Sequence, residues 1–209
     1  MAYLNDLTQE YLKSILFYDI AGDYWVWRVG GRGGTYAGMK AGSLRDGYLV
    51  IKIDGKSYRA HRLRHLYLYG VWPTNELDHK NRIPWDNSEG NLRDATSSQN
   101  KANREKFSNN TSGFKGVCWN IHLHKWNVQI GKDNKLIFLG YFTDLIDAAQ
   151  AYDRAALYYF KEFAFLNFPE LKGQYLKESV NGRKIGWSKS NRITKADLAQ
   201  YALETGLEL

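Results

Sequence analysis

The sequence predicts an α+β chain of two domains, and three patterns carry that expectation. Residues 48–69 read as a hairpin followed by a helix, with an Asp54-Gly55 turn between two alternating stretches. A polar string from Asp78 to Asn100 ends in Thr96-Ser97-Ser98-Gln99, which has capping-box form and announces another helix. From Gly113 the pattern changes to three short alternating stretches and an alanine-rich helix, which predicts a three-stranded antiparallel sheet packed on one helix. The chain has 209 residues, room for one large domain or two small ones.

In chain order, Leu4 to Phe17 predicts a short amphipathic helix with Leu7, Tyr11, Leu12, Ile15 and Leu16 on one side. YWVWRV then reads as a strand, and the glycines from Gly30 to Gly34 as a flexible connection. Tyr48–Ile53 and Ser57–His61 form the hairpin arms, and Leu63–Tyr69 a helix ending near Gly70, before Pro73. Glu76–His79 is expected as a strand opening into a loop, with the return strand beginning at Asn91–Asp94. The helix after Thr96 should carry Asn100, Asn103 and Arg104. Residues 1–105 are thus expected as the first domain and 106–112, polar and without periodicity, as a linker. In 113–169 the strands are GFKGVCWN, KWNVQI and KLIFLGYF, followed by a helix over Asp144–Phe160. Its alanines, Ala148, Ala149, Ala155 and Ala156, allow close approach to a sheet. Residues 170–209 read as a basic tail with a helix over Thr194–Glu204.

Composition narrows the partner. A formal net charge of +7 favours a polyanion. Aromatic residues make up 15% of the chain, which argues for packed cores and against disorder. Cys118 is the one cysteine, so an intrachain disulfide and a cysteine-based zinc cluster are both excluded, and a reducing, cytoplasmic setting is expected. The N-terminus places acidic and polar residues through its apolar positions, unlike a secretory signal, and no apolar run is long enough to span a bilayer. No membrane association and no obligatory protein partner are expected.

The polar string carries the chemistry. His79, with a carboxylate immediately before it and the amides of Asn91 and Asn100 after it, supplies a proton acceptor and hard oxygen ligands without a thiol. A neutral imidazole, with an ordinary pKa of about 6.5, can take a proton from water near neutral pH. Asp78 and the Asn100 carbonyl can supply two oxygens to a cation, while Asn91 either fixes the loop or orients His79. Adjacent residues of a regular strand point to opposite faces, so Asp78 and His79 share one cleft only if the strand ends or bulges there. The plain competing reading is an Asn-rich loop whose side chains cap its own turns. His61 and His65 have the spacing of two zinc ligands on a helix but lack a third; packing or phosphate contact by His61-Arg62 is expected instead.

From the hairpin at Tyr48 to Asn103 the chain resembles HNH endonucleases of the ββα-metal type. The matching residues are His61-Arg62, Asp78-His79, Asp86-Asn87, Asn91-Leu92-Arg93, Thr96 and Gln99-Asn100. The resemblance implies that His79 is the general base, that Asp78 and Asn100 hold one Mg²⁺ (or Mn²⁺) per active site, and that Asn91 supports the loop. The metal would stabilise the leaving 3′ oxygen. Phosphate or groove contacts are expected from His61, Arg62, Arg93 and Arg104.

Residues 113–169 resemble the Apetala/ethylene-response-factor (ERF) type DNA-binding domain of plants. The resemblance rests on Gly113-Phe114-Lys115-Gly116-Val117, Lys125-Trp126, Leu139-Gly140-Tyr141-Phe142, Ala148-Ala149, Ala151-Tyr152-Asp153 and Leu166-Asn167-Phe168-Pro169. It implies a three-stranded sheet that enters the major groove, which is wide enough for a strand layer. Strand phase and family position together put Lys115, Asn120, Gln129 and Phe138 toward DNA, with Trp119 and Lys132 as neighbours. Arginines typical of the plant reading face are replaced by Cys118, Gly131 and Leu136, so the plant target sequence does not carry over. Trp126 is expected in the core between sheet and helix.

Together these features predict a metal-dependent endonuclease that nicks or cleaves double-stranded DNA. By resemblance it is a free-standing phage homing enzyme in the cytoplasm of an infected host. The first alternative is a non-catalytic DNA-binding regulator that keeps the ERF-type domain while its HNH portion only binds, and the complete Asp78, His79, Asn91 and Asn100 set argues against it; the second is a nuclease acting on RNA or structured DNA.

Overall fold

A computed structural model describes residues 7–30 and 36–180. The chain forms two compact units, Met1–Asn100 and Lys101–Leu209. The expected helix over Thr194–Glu204, the first residues of the N-terminal helix and most of the Gly30–Gly34 cluster lie outside the described residues.

In the first unit, α1 (Gln9–Ile15) starts at Thr8, whose hydroxyl accepts the Tyr11 N–H at 3.2 Å. It is shorter than the sequence pattern suggests, because Leu16 leaves the helix and opens β1 (Leu16–Asp19). β1 pairs antiparallel with β2 (Tyr24–Trp27), which pairs with β3 (Lys40–Ala41). A second sheet holds β4 (Ser43–Arg45), β5 (Tyr48–Ile53) and β6 (Lys56–Arg59) in that order. Its expected hairpin turn has positive φ at both Asp54 (48°) and Gly55 (79°), the backbone that a tight two-residue hairpin requires. α2 (Ala60–Tyr69) follows without a loop and ends on Gly70 in the left-handed region.

One apolar cluster joins these pieces. Leu12 and Leu16 from the N-terminus, Ile51 and Ile53 from β5, and Ala60, Leu63 and Leu66 from α2 are all buried together. Tyr18, Trp25 and Tyr67 add an aromatic corner, with ring centroids 4.8, 6.2 and 5.5 Å apart. Then come β7 (Glu76–His79) and β8 (Leu92–Ala95), an antiparallel pair, and α3 (Ser97–Ala102). The capping box forms in both directions: Thr96 N–H donates to Gln99 Oε1 at 2.8 Å, and Gln99 N–H to Thr96 Oγ1 at 3.2 Å.

The second unit is built on β9 (Val117–Asn120), β10 (Lys125–Lys132) and β11 (Lys135–Phe142), an antiparallel sheet with β10 in the centre. α4 (Leu145–Phe160), capped by the Asp144 carboxylate on the Asp147 N–H, packs against it. Val117, Val128, Ile130 and Leu139 meet Ala148, Ala149, Ala155 and Ala156, all buried. The small helix face removes apolar area from water without separating the layers. Asp153, fully buried on α4, accepts the backbone N–H groups of Asn167 and Phe168 at 2.7 and 2.8 Å. Asn167 Oδ1 in turn accepts the Lys115 N–H at 2.7 Å, so one carboxylate organises both ends of this unit. Burial pushes Asp153 up to about 6 against those two donors. Residues 106–112 lie in the second unit, and Ser112 Oγ donates to the Val117 carbonyl at 2.8 Å. α5 (Lys172–Val180), which the sequence pattern did not reveal, buries Tyr175 beneath the Arg154 guanidinium at 4.9 Å.

Gly116 sits at φ 77°, and a Cβ there would lie 2.0 Å from the Tyr152 ring and 2.8 Å from the Gln129 carbonyl. Gly116→Ala combines a left-handed L-residue with overpacking and is expected to destabilise the second unit by roughly 2–4 kcal/mol. Loss of amide-exchange protection in β9–β11 at lower urea than in the wild type, with α1–α2 unchanged, is the measurement.

Candidate active site

The β7–β8 register decides which side chains of the polar string meet. Asp78 lies opposite Arg93, and His79 opposite Leu92. Because side chains alternate along a strand, Glu76 and Asp78 share one face while Leu77 and His79 share the other. β7 ends at His79, the last residue of the paired strand.

On the first face Arg93 donates from Nε and Nη2 to Asp78 Oδ2, both at 2.9 Å. Asn100 Nδ2 donates to Glu76 Oε2, which assigns its carbonyl as the remaining end of the amide. Glu76, Asp78 and Asn100 thus form an oxygen-rich set spanning β7 and α3. Glu76 was not among the expected site residues, although its two-residue spacing from Asp78 was readable. Among the described residues no three His, Cys, Asp or Glu side chains form a metal-binding group. A cation here would rely on an amide oxygen beside carboxylates, a donor set that suits Mg²⁺ or Mn²⁺ rather than structural zinc.

On the second face His79 and His61 are buried, and the half-buried Tyr48 lies beside them. The imidazoles meet edge to face with centroids 5.0 Å apart, and Tyr48 lies 5.7 Å from His61 and 6.1 Å from His79. The Arg59 guanidinium covers the Tyr48 ring at 4.1 Å. Burial lowers the His79 pKa from its ordinary value, opposed by the Asn87 hydrogen bond and by the carboxylates of Asp78, Asp86 and Asp23. Burial and the adjacent His79, Arg59 and Arg62 charges drive His61 down to about 3. Both rings are neutral at neutral pH.

His79 Nε2 lies 3.2 Å from Asn87 Oδ1. Asn87 Nδ2 donates to the Trp85 carbonyl at 3.2 Å, so the amide must present its oxygen to the imidazole. Nε2 therefore carries the proton, and Nδ1 is the ring nitrogen with a lone pair to accept one. Asn87, 1% exposed, is the histidine's partner that sequence reasoning missed. Asp86-Asn87 was visible as a motif match, but nothing in the string distinguished its role from that of Asn91. Asn91 instead knots the loop: Oδ1 accepts the Asn81 N–H at 3.1 Å, and Nδ2 donates to Asn81 Oδ1 and the Asp86 carbonyl at 3.0 and 2.6 Å. Asn81 Nδ2 also donates to Asp86 Oδ2 at 2.5 Å.

Several cations expected at DNA have intramolecular partners. Arg62 donates to the Pro73 carbonyl at 3.2 Å. Lys115 Nζ donates to the carbonyls of Lys101, Ala102 and Arg104 at 3.4, 2.6 and 2.5 Å. Lys132 stands over the Tyr159 ring of α4 at 5.2 Å. Arg104 is exposed. In the sheet, the β10 register sets Gln129 opposite Phe138 and Asn127 opposite Cys118 and Tyr141, on the face away from α4. Asn120, opposite Lys125, shares that face; its Oδ1 accepts the N–H groups of His122 and Leu123, both at 3.0 Å, and shapes the hairpin. Trp119 alternates to the other face and packs edge to face on Trp126 at 4.8 Å, with 45% of its surface still exposed.

Residues 58–102, from β6 through α3, match the family model described as HNH endonuclease, so this segment carries an HNH endonuclease domain. The chain is also 32% identical over 97 residues to an ethylene-responsive transcription factor of Arabidopsis thaliana, covering 46% of this chain and 21% of that protein. It therefore spans about a fifth of that relative's length. No solved structure matches. Among the described residues, no helix is long and apolar enough to cross a membrane.

The His61 environment sets a pH dependence. Between pH 6.5 and about 3 the unfolded chain protonates this residue and the folded chain does not. Stability therefore falls as pH drops through 6.5, by up to about 1.4 kcal/mol per pH unit from this one group. In urea titrations at pH 6.5, 5.5 and 4.5, His61→Phe is expected to flatten the decline relative to the wild type.

Proposed function

We propose that this chain is a metal-dependent HNH endonuclease that nicks or cleaves double-stranded DNA, in the manner of a free-standing phage homing endonuclease. The observation that carries the reading is His79 itself: a neutral imidazole at a strand end, its Nε2 proton fixed on Asn87, within the matched HNH segment. His79 takes the proton of an attacking water at Nδ1, and burial keeps the ring in the form that can do so. Asp78 and Asn100, with Glu76 holding the Asn100 amide, would hold the divalent cation, whose chemistry is to stabilise charge on the phosphate and the leaving 3′ oxygen. Asn91 keeps the intervening loop in shape. One active site per chain favours nicking.

The second unit is proposed as the address. Its open sheet face presents Lys125, Gln129, Phe138 and Tyr141, an amide and rings suited to base edges in a major groove. A compact nuclease core makes few base contacts, so tethering it to a second reader raises its local concentration at chosen sites.

Plasmid cleavage tests the nuclease. Mg²⁺-dependent conversion of supercoiled to open-circle DNA is expected, stopped by EDTA and reduced at least 100-fold in His79→Ala. Uncut plasmid and uncut phage or host DNA, with DNA binding intact, would leave a DNA-binding protein instead. Gln129→Ala is expected to weaken a selected duplex by about 1–3 kcal/mol while changing random-sequence affinity little. Equal losses on both would show that Gln129 does not read sequence.

A further inference from the structure

We propose that Asp23, in the turn between β1 and β2, is a positioning residue for His79 that acts through Asn87. The inference rests on the reading of His79 as the general base. Its ground is a continuous run of hydrogen bonds. Arg64 Nε donates to the Tyr18 hydroxyl at 3.0 Å, and that hydroxyl donates to Asp23 Oδ1 at 2.7 Å. Asp23 Oδ2 accepts the Asn87 backbone N–H at 2.7 Å, and Asn87 Oδ1 receives His79 Nε2–H at 3.2 Å. Each carboxylate oxygen of Asp23 thus has its own donor, one from the aromatic core and one from the nuclease loop.

The arrangement is built rather than incidental. Asp23 adopts φ 49°, a left-handed turn that short polar side chains tolerate, and it reaches a partner 64 positions away. Tyr18 is 2% exposed and clamped against Trp25 and Tyr67, so its hydroxyl is a fixed donor. β1 and β2 lie outside the matched segment 58–102, so the support comes from this chain's own N-terminal hairpin. Asn87 is held at two points: its N–H by Asp23 and its Nδ2 by Trp85. Removing the first leaves a buried donor unsatisfied and lets the loop move. The His79 contact, already 3.2 Å long, has little margin before it ceases to be a hydrogen bond.

The test compares full-length wild type, Asp23→Ala, Tyr18→Phe and His79→Ala. Single-turnover cleavage at saturating enzyme is read beside duplex affinity without metal and the His79 Nε2–H proton resonance, identified by its absence from His79→Ala. Asp23→Ala is expected to slow cleavage roughly 10–100-fold, with affinity changed less than about twofold and the resonance lost to water exchange. Tyr18→Phe keeps the ring and removes the hydroxyl's two hydrogen bonds, one to Asp23 and one from Arg64, while leaving the Asp23–Asn87 bond, so a loss of about three- to tenfold with a broadened resonance is expected. If Asp23→Ala does not fold, Tyr18→Phe decides. Folded variants that cut at the wild-type rate with an unchanged resonance would overturn the proposal, as would absence of that resonance from the wild type. The resonance needs no cleavage, so it judges the positioning role even if the wild type cuts no DNA, which would instead sink the nuclease reading.

Discussion

A buried imidazole is a base only when its neutral form is favoured and its lone pair is fixed on one nitrogen. At His79 the first condition comes from burial against His61 and Tyr48. The second comes from one amide, because Asn87 can offer only its oxygen once Nδ2 is tied to Trp85. The loop is knotted by Asn81, Asp86 and Asn91, and its far side is anchored to the β1–β2 turn through Asp23.

This dependence gives the N-terminal helix and hairpin a role beyond adding apolar area. Their core residues, Leu12, Leu16 and Trp25, pack on β5 and α2, which fixes Tyr18 and hence Asp23. Close-packed interiors transmit displacement rather than absorb it. Packing and chemistry are thereby coupled through a few hydrogen bonds. The opposite face of β7 follows a different logic. Asp78 faces Arg93 across the strand pair, and the guanidinium's hydrogen bonds offset the cost of burying a carboxylate with 4% of its side chain exposed.

The second unit solves a separate problem: a sheet must keep one face dry and the other available. Alanines on α4 allow the helix to close over Val128, Ile130 and Leu139, leaving the opposite face to amides and rings. The interior carboxylate of Asp153 ties the segment after α4 to the entry of the sheet through Asn167 and Lys115. The aspartate and asparagine that the ERF resemblance picked out are thus architectural here. They satisfy backbone donors.

The elements whose signals are local were legible in the sequence. The Asp54-Gly55 hairpin, the capping box at Thr96–Gln99, the strand pair around the polar loop and the Asp144-capped helix depend on residues within a few positions of one another. So did the presence of His79 beside a carboxylate and several asparagines. The early exit of α1 into β1, and α5, were not legible, because tertiary burial of Leu16 and Tyr175 overrides weak local preference. Long-range partnership decided the rest. Asn87 rather than Asn91 meets His79, Glu76 joins Asn100, and Asp23 reaches across 64 positions. Arg62, Arg93 and Lys115 read as DNA contacts from the family resemblances and strand phase, yet each also donates to an acceptor within the fold. A sequence states which groups can donate, accept or ionise. Which of them are satisfied internally depends on register and burial, and those exist only once the chain has folded.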